Sequence, residues 1–111
     1  MRQKIGSMWV YGVGLDQHGR CQHYHTERDI VAIKFACCNK YWACYQCHQA
    51  LADHPAQPWP KERFHENAIL CGVCGTEHAV DVYLASQFKC PACLKPFNPG
   101  CARHYHLYFE L

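Results

Sequence analysis

The chain has 111 residues, a formal net charge of +2, ten cysteines and nine histidines. That length suits a single domain, yet nineteen Val, Ile, Leu and Met give it only a thin aliphatic core, which disulfides or metals commonly supplement. No stretch approaches the ~18 uninterrupted apolar residues of a membrane span. The opening "MRQKIGSMWV" also lacks the apolar centre of a secretion signal, so the chain reads as soluble and outside the ordinary secretory route.

Residues 1–8 read as a disordered or tag-derived tail, because "GSM" at 6–8 has the look of a cloning scar, and residues 9–111 read as one domain. "WVYGVG" (9–14) and "DIVAIKF" (29–35) are β-branched and aromatic runs of strand length. "YQCHQALAD" (45–53) lacks Gly and Pro and stops at "HPAQPWP", which predicts a short helix. The proline-rich segment 55–60 crosses to a second half. There "TEHAVDVYLAS" (76–86) sets Ala79, Val80, Tyr83 and Leu84 at helical spacing behind Thr76 as a cap, predicting a second helix. In "LKPFNPGCARHYHLYFEL" the turn chemistry of "NPG" precedes an aromatic run, read as a final strand.

Ten cysteines could form five disulfides, but a disulfide framework has no use for the histidines, which recur here at metal-ligand spacing. "CQH" stands at 21–23, "CYQCH" at 44–48, and His54 follows six residues after His48. Three C-x2-C pairs, 44/47, 71/74 and 90/93, each suit the tight turn that aims two thiolates at one tetrahedral ion. Zinc is therefore the expected cofactor. Successive residues on an extended chain face opposite ways, which predicts that Cys37 and Cys38 serve different ions and separates Cys47 from His48. Cys21 and His23 face together and complete a Cys3His site with Cys44 and Cys47. Cys37, Cys38, His48, His54, Cys71, Cys74, Cys90 and Cys93 remain for two further ions. Each remaining C-x2-C pair takes one adjacent cysteine and one histidine, and spacing does not say which.

These residues resemble the CHY-type zinc finger family, whose name reflects the "CQHY" pattern at 21–24. The likeness runs from about residue 10 to the C-terminus. It covers the paired cysteines, C-x2-C followed by His, a further His, and two later C-x2-C pairs. The resemblance implies three interleaved zinc ions, each in a Cys3His site, with Cys37 and His48 joining Cys90 and Cys93, and Cys38 and His54 joining Cys71 and Cys74. "CGVCGTEHAVDVYLA" and "FNPGCARHYHLYF" are similar to short stand-alone members, which include the helper-of-Tim proteins of the mitochondrial intermembrane space. Larger members carry a RING domain, for which this chain has neither the length nor the C-x-H-x2-C cluster.

The expected fold is a small zinc-stabilised α+β domain: three interleaved zinc sites, short strands, two short helices and little regular core. Three Cys3His sites would turn the formal +2 into about −1, so the basic balance is no argument for nucleic acid. Four protein ligands per ion leave no open position for a catalytic water, and no enzymatic activity is expected. Cys101 and His104 stand at C-x2-H spacing, and His25 or His106 could extend a fourth site. Cys101 reads as a small buried residue and His104 as a hydrogen-bonding neighbour of a ligand. His18, His65 and His78 read as surface or capping residues, and Asp16, Asp29 and Asp81 as solvated or turn-forming. The functional expectation is a monomeric protein-interaction module that contacts neither nucleic acid nor membrane. The alternative is a factor exchanging zinc or disulfides with cysteine-rich clients. The cytoplasm is the expected compartment, with the mitochondrial intermembrane space as the alternative.

Overall fold

The computed structural model describes residues 2–24, 28–38, 40–97 and 108–109. Turns that carry ligands or glycine cut this chain into short elements. They are strands β1 (Arg2–Ile5), β2 (Met8–Tyr11), β3 (Val31–Lys34) and β4 (Tyr41–Trp42), helix α1 (Tyr45–Leu51), strands β5 (Asn67–Cys71) and β6 (Glu77–Ala79), and helix α2 (Val80–Leu84). The strands form one sheet in the order β1-β2-β4-β3-β5-β6. Only β2 and β4 run parallel; the other neighbours are antiparallel.

Both faces of the sheet are covered, as the period-two alternation of its central strands requires. Ile33 and Ile69 point into a core shared with Phe35, Trp59, Val80, Tyr83 and Phe97, while Ala32 and Leu70 point the other way, onto Ile5, Val10 and Tyr41. The expectation of little regular core is thus corrected. Aromatic rings supply what the aliphatic count could not, and burying each contributes about 1.5–3 kcal/mol. The Trp59 indole N–H donates to the Lys34 carbonyl, and its backbone N–H donates to Tyr108 O at 2.8 Å.

The expected strands at 9–14 and 29–35 appear as the shorter β2 and β3, and the helix at 45–53 as α1. Two expectations fail. Residues 2–5 are not an idle tail: they pair with β2 through a turn at Gly6, and Ile5 is buried in the second core. The helix expected over 76–86 is half strand. Ladder pairing of Glu77, His78 and Ala79 with β5 overrides the local helical pattern, and the helix starts only at Val80, with Ala79 and not Thr76 at the N-cap position and no side-chain cap. Most of the expected final strand, and with it Cys101, His104, His106 and also His25, lies outside the described residues. Phe109 forms an isolated bridge with Trp59.

One glycine decides how β5 ends. A Cβ on Gly72 would fall 1.9 Å from the His18 carbonyl oxygen, while its N–H donates to Ile30 O at 2.6 Å. The knuckle after Cys71 is thereby held against the chain that leads into β3.

Candidate metal centres

Three groups of four ligand atoms assemble, each with all its atoms within 4.8 Å of one another: Cys21, His23, Cys44 and Cys47; Cys37, Cys38, His48 and His54; Cys71, Cys74, Cys90 and Cys93. None of the nine described cysteines is in a disulfide.

The first group joins the loop after β2 to the start of α1. Cys44 is the N-cap of α1, its sulfur accepting from Cys47 N–H at 3.3 Å, and Val13 N–H points at Cys47 Sγ at 3.4 Å. Backbone donors of this kind stabilise thiolates. Sulfur–sulfur distances are 3.5 Å for Cys21–Cys44 and 3.6 Å for Cys44–Cys47, and His23 Nδ1 lies 3.5–3.7 Å from the three sulfurs. A tetrahedral zinc with Zn–S near 2.3 Å and Zn–N near 2.0–2.1 Å sets edges of about 3.8 Å and 3.5 Å, so the residues fit that ion. Without a cation, the hydrogen bonds from Cys44 and Cys47 push the Cys21 thiol down, and the same contacts push those two thiols up. A dication would displace the protons they keep.

The second group corrects the expected pairing. Cys37 and Cys38 sit in a turn after β3, where the opposite-face rule for extended chain does not hold, and their sulfurs lie 3.8 Å apart. His48, on the buried face of α1, reaches Cys37 Sγ at 3.4 Å, its ring packed against Phe35 and Trp42. Burial, then the nearby His54, lowers the pKa of His48 and favours its neutral, metal-binding form. His54 Nδ1 is held by Asp53 at 2.9 Å, leaving Nε2 buried with no hydrogen-bond partner among the described residues. A buried lone pair beside two thiols and a second imidazole is the donor set of a metal site. The Trp42 indole N–H donates to Cys38 Sγ at 3.4 Å.

The third group therefore consists of thiols alone. Cys71 ends β5, and Cys90 and Cys93 lie in a knuckle closed by the Lys89–Pro96 bridge. Distances are 3.8 Å for Cys71–Cys93 and 3.7 Å for Cys74–Cys90. In place of three Cys3His sites, the first cluster has three cysteines and one histidine, the second has two of each, and the third has four cysteines. The summed charge on binding three dications is unchanged, but it gathers on the third. Burial works to raise the Cys74 thiol, yet hydrogen bonding to Thr76, whose hydroxyl is 3.3 Å away, leaves it lowered to about 7.

His78 is a further correction. Read from sequence as a surface or capping residue, it is buried on β6 with Nε2 3.4 Å from Cys90 Sγ. Its place four residues after Cys74 was the available signal. His65 is exposed, as expected. Asp16 forms the expected turn, its carboxylate accepting from His18 N–H at 2.9 Å and Arg20 N–H at 3.0 Å. No described helix is long and apolar enough to cross a membrane.

These features define a small zinc-binding domain with three Cys/His clusters. The chain belongs to the CHY zinc finger family, whose profile matches residues 21–105. It is 44% identical over 104 residues to Helper of Tim protein 13 of Saccharomyces cerevisiae, covering 91% of this chain and 90% of that protein. The protein of the same name from Kluyveromyces lactis is 40% identical over 90% of this chain and 87% of its own length. An uncharacterised protein of Schizosaccharomyces pombe is 44% identical over 91% of this chain and 88% of its own.

Proposed function

We propose that the chain is a monomeric protein-interaction module built on three zinc ions, without catalytic chemistry of its own. The carrying observation is that each cluster offers four protein ligands, so a bound ion would keep no site for a substrate water. A surface is available beside the third cluster: a cleft of about 620 Å3 lined by Arg20, Arg28, Lys95, Ile30, Val73 and Pro96. A lining that mixes apolar side chains with the basic Arg28 and Lys95 suits an acidic, partly apolar polypeptide. The name Helper of Tim, borne by two relatives, supports a protein partner. That kinship favours the mitochondrial intermembrane space over the cytoplasm. Neither nucleic acid nor membrane is a partner in this reading.

Purified zinc-loaded protein, titrated with purified Tim proteins by calorimetry, tests the reading. Binding that weakens at least tenfold in an Arg28→Glu/Lys95→Glu variant with all its zinc supports it. Absence of binding by the wild type overturns it.

A second reading, exchange of zinc or disulfides with cysteine-rich clients, is favoured by the position of the third cluster. Cys74 is the exposed member among the twelve clustered ligands, whereas the first cluster has three buried cysteines. Zinc leaving the third cluster first on limited chelation would move this reading ahead.

A further inference from the structure

A fifth donor stands beside the third cluster. His78 Nε2 stands 3.4 Å from Cys90 Sγ, close to the edge of about 3.5 Å that a thiolate and an imidazole share on one tetrahedral zinc. It lies on the Cys90 side, outside the four sulfurs that are mutually within 4.8 Å. Its backbone is fixed, because β6 pairs His78 with Ile69 of β5, the strand that ends in Cys71. The ring is buried, so its position is set by packing and not by water.

The four sulfurs are unequal. Cys71 and Cys90 are fully buried and Cys93 half-buried, while Cys74 is exposed on a turn between Cys71 and Gly75. Four thiolates on one dication also leave a charge of about −2 beside a folded core, which replacement of one thiolate by a neutral imidazole would halve.

We propose that His78 is an alternative zinc ligand that takes the place of Cys74. In the exchange the Zn–S bond to Cys74 breaks, and a Zn–N bond forms with the lone pair of His78 Nε2. The imidazole keeps its proton on Nδ1, and the freed Cys74 thiolate equilibrates with solvent protons. Zinc stays on Cys71, Cys90 and Cys93 throughout, so the fold is not opened. An exposed thiolate is thereby released beside a retained ion, where it can meet an incoming metal or thiol. This use rests on the zinc-handling reading; the ligand assignment itself requires only that the cluster hold zinc.

Native mass spectrometry of the full chain, with visible spectra after cobalt substitution, tests the assignment in four variants. Cys74→Ser is expected to retain three ions, with a cobalt spectrum of three thiolates and one nitrogen in this cluster. His78→Ala also retains three, because the four sulfurs are intact. Cys74→Ser/His78→Ala and Cys71→Ser each fall to two. Loss of the third ion by Cys74→Ser alone would overturn the assignment, and so would its retention by the double variant. Amide NMR spectra of each variant verify that the first two clusters and the sheet persist. A wild type carrying only two ions would overturn the zinc reading of the cluster, and the ligand assignment with it.

Discussion

His48 Nε2 lies 3.4 Å from Cys37 Sγ, joining the middle of α1 to the turn after β3. His54 completes the same group, so both histidines are placed to hold one ion. His48→Ala and His54→Ala should each remove the same single zinc, leaving the Cys21 and Cys71 clusters loaded. Metal counting with cysteine-specific labelling checks this: either variant should expose Cys37 and Cys38 and leave Cys90 and Cys93 protected. Exposure of Cys90 by His48→Ala would instead support the interleaved grouping.

The two later knuckles share a backbone turn but not its residue. Gly75 follows Cys74 with φ +74°, and Leu94 follows Cys93 with φ +66°. The left-handed conformation costs a non-glycine residue about 1–2 kcal/mol, whereas glycine loses about 0.5–1 kcal/mol of unfolded-state entropy. Leu94 is 70% exposed, so removing its side chain forfeits little burial. Leu94→Gly should leave the zinc-loaded protein unchanged or up to about 1 kcal/mol more stable, read from denaturant unfolding at fixed zinc. Gly75→Ala should act oppositely, because its Cβ would stand 3.0 Å from Gly6 Cα.

Gly72 has no comparable tolerance. An added methyl would meet the His18 carbonyl oxygen at 1.9 Å, and backbone cannot yield as a side-chain tip can. Gly72→Ala should cost about 3 kcal/mol or more and weaken zinc at the third cluster, since Cys71 and Cys74 flank the displaced turn. A variant melting within about 2 °C of wild type, a shift worth well under 1 kcal/mol, would contradict the packing of this turn against residue 18.

Tyr108 closes the first core. Its hydroxyl accepts from Tyr45 N–H at 3.0 Å at the start of α1, and its ring lies 5.5 Å from Phe35. Tyr108→Phe, which loses the hydrogen bond alone, should cost about 1 kcal/mol. Tyr108→Ala should cost about 3–5 kcal/mol by opening a cavity beside Phe35. Both are read from denaturant unfolding at fixed zinc. Equal effects of the two substitutions would show that the ring contributes nothing.

The twelve clustered Cys and His residues were legible in the chain as candidate ligands, because tetrahedral zinc needs Cys and His in tight local turns, and C-x2-C is the local solution. Strands β2 and β3 and helix α1 were legible for the same reason: their signals lie within a few residues. β5 carried a strand-length apolar run that went unread between the ligand pairs. The N-terminal hairpin was hidden because β1 is defined by its register on β2 and by Ile5 reaching Val10, Ala32 and Leu70. The start of α2 was hidden because pairing with β5 claims residues 77–79.

The sequence by itself marked twelve side chains as candidate ligands and pointed to zinc as their ion, since donor chemistry is a property of residue type. Only the tertiary structure decided which ligands share an ion. The adjacency of Cys37 and Cys38 suggested opposite faces, but a turn brings both to His48 and His54, and the four later cysteines are left to one another. His78 became visible for the same reason. Its distance from Cys90 is set by sheet pairing and by the fold of a distant knuckle, which no local spacing encodes.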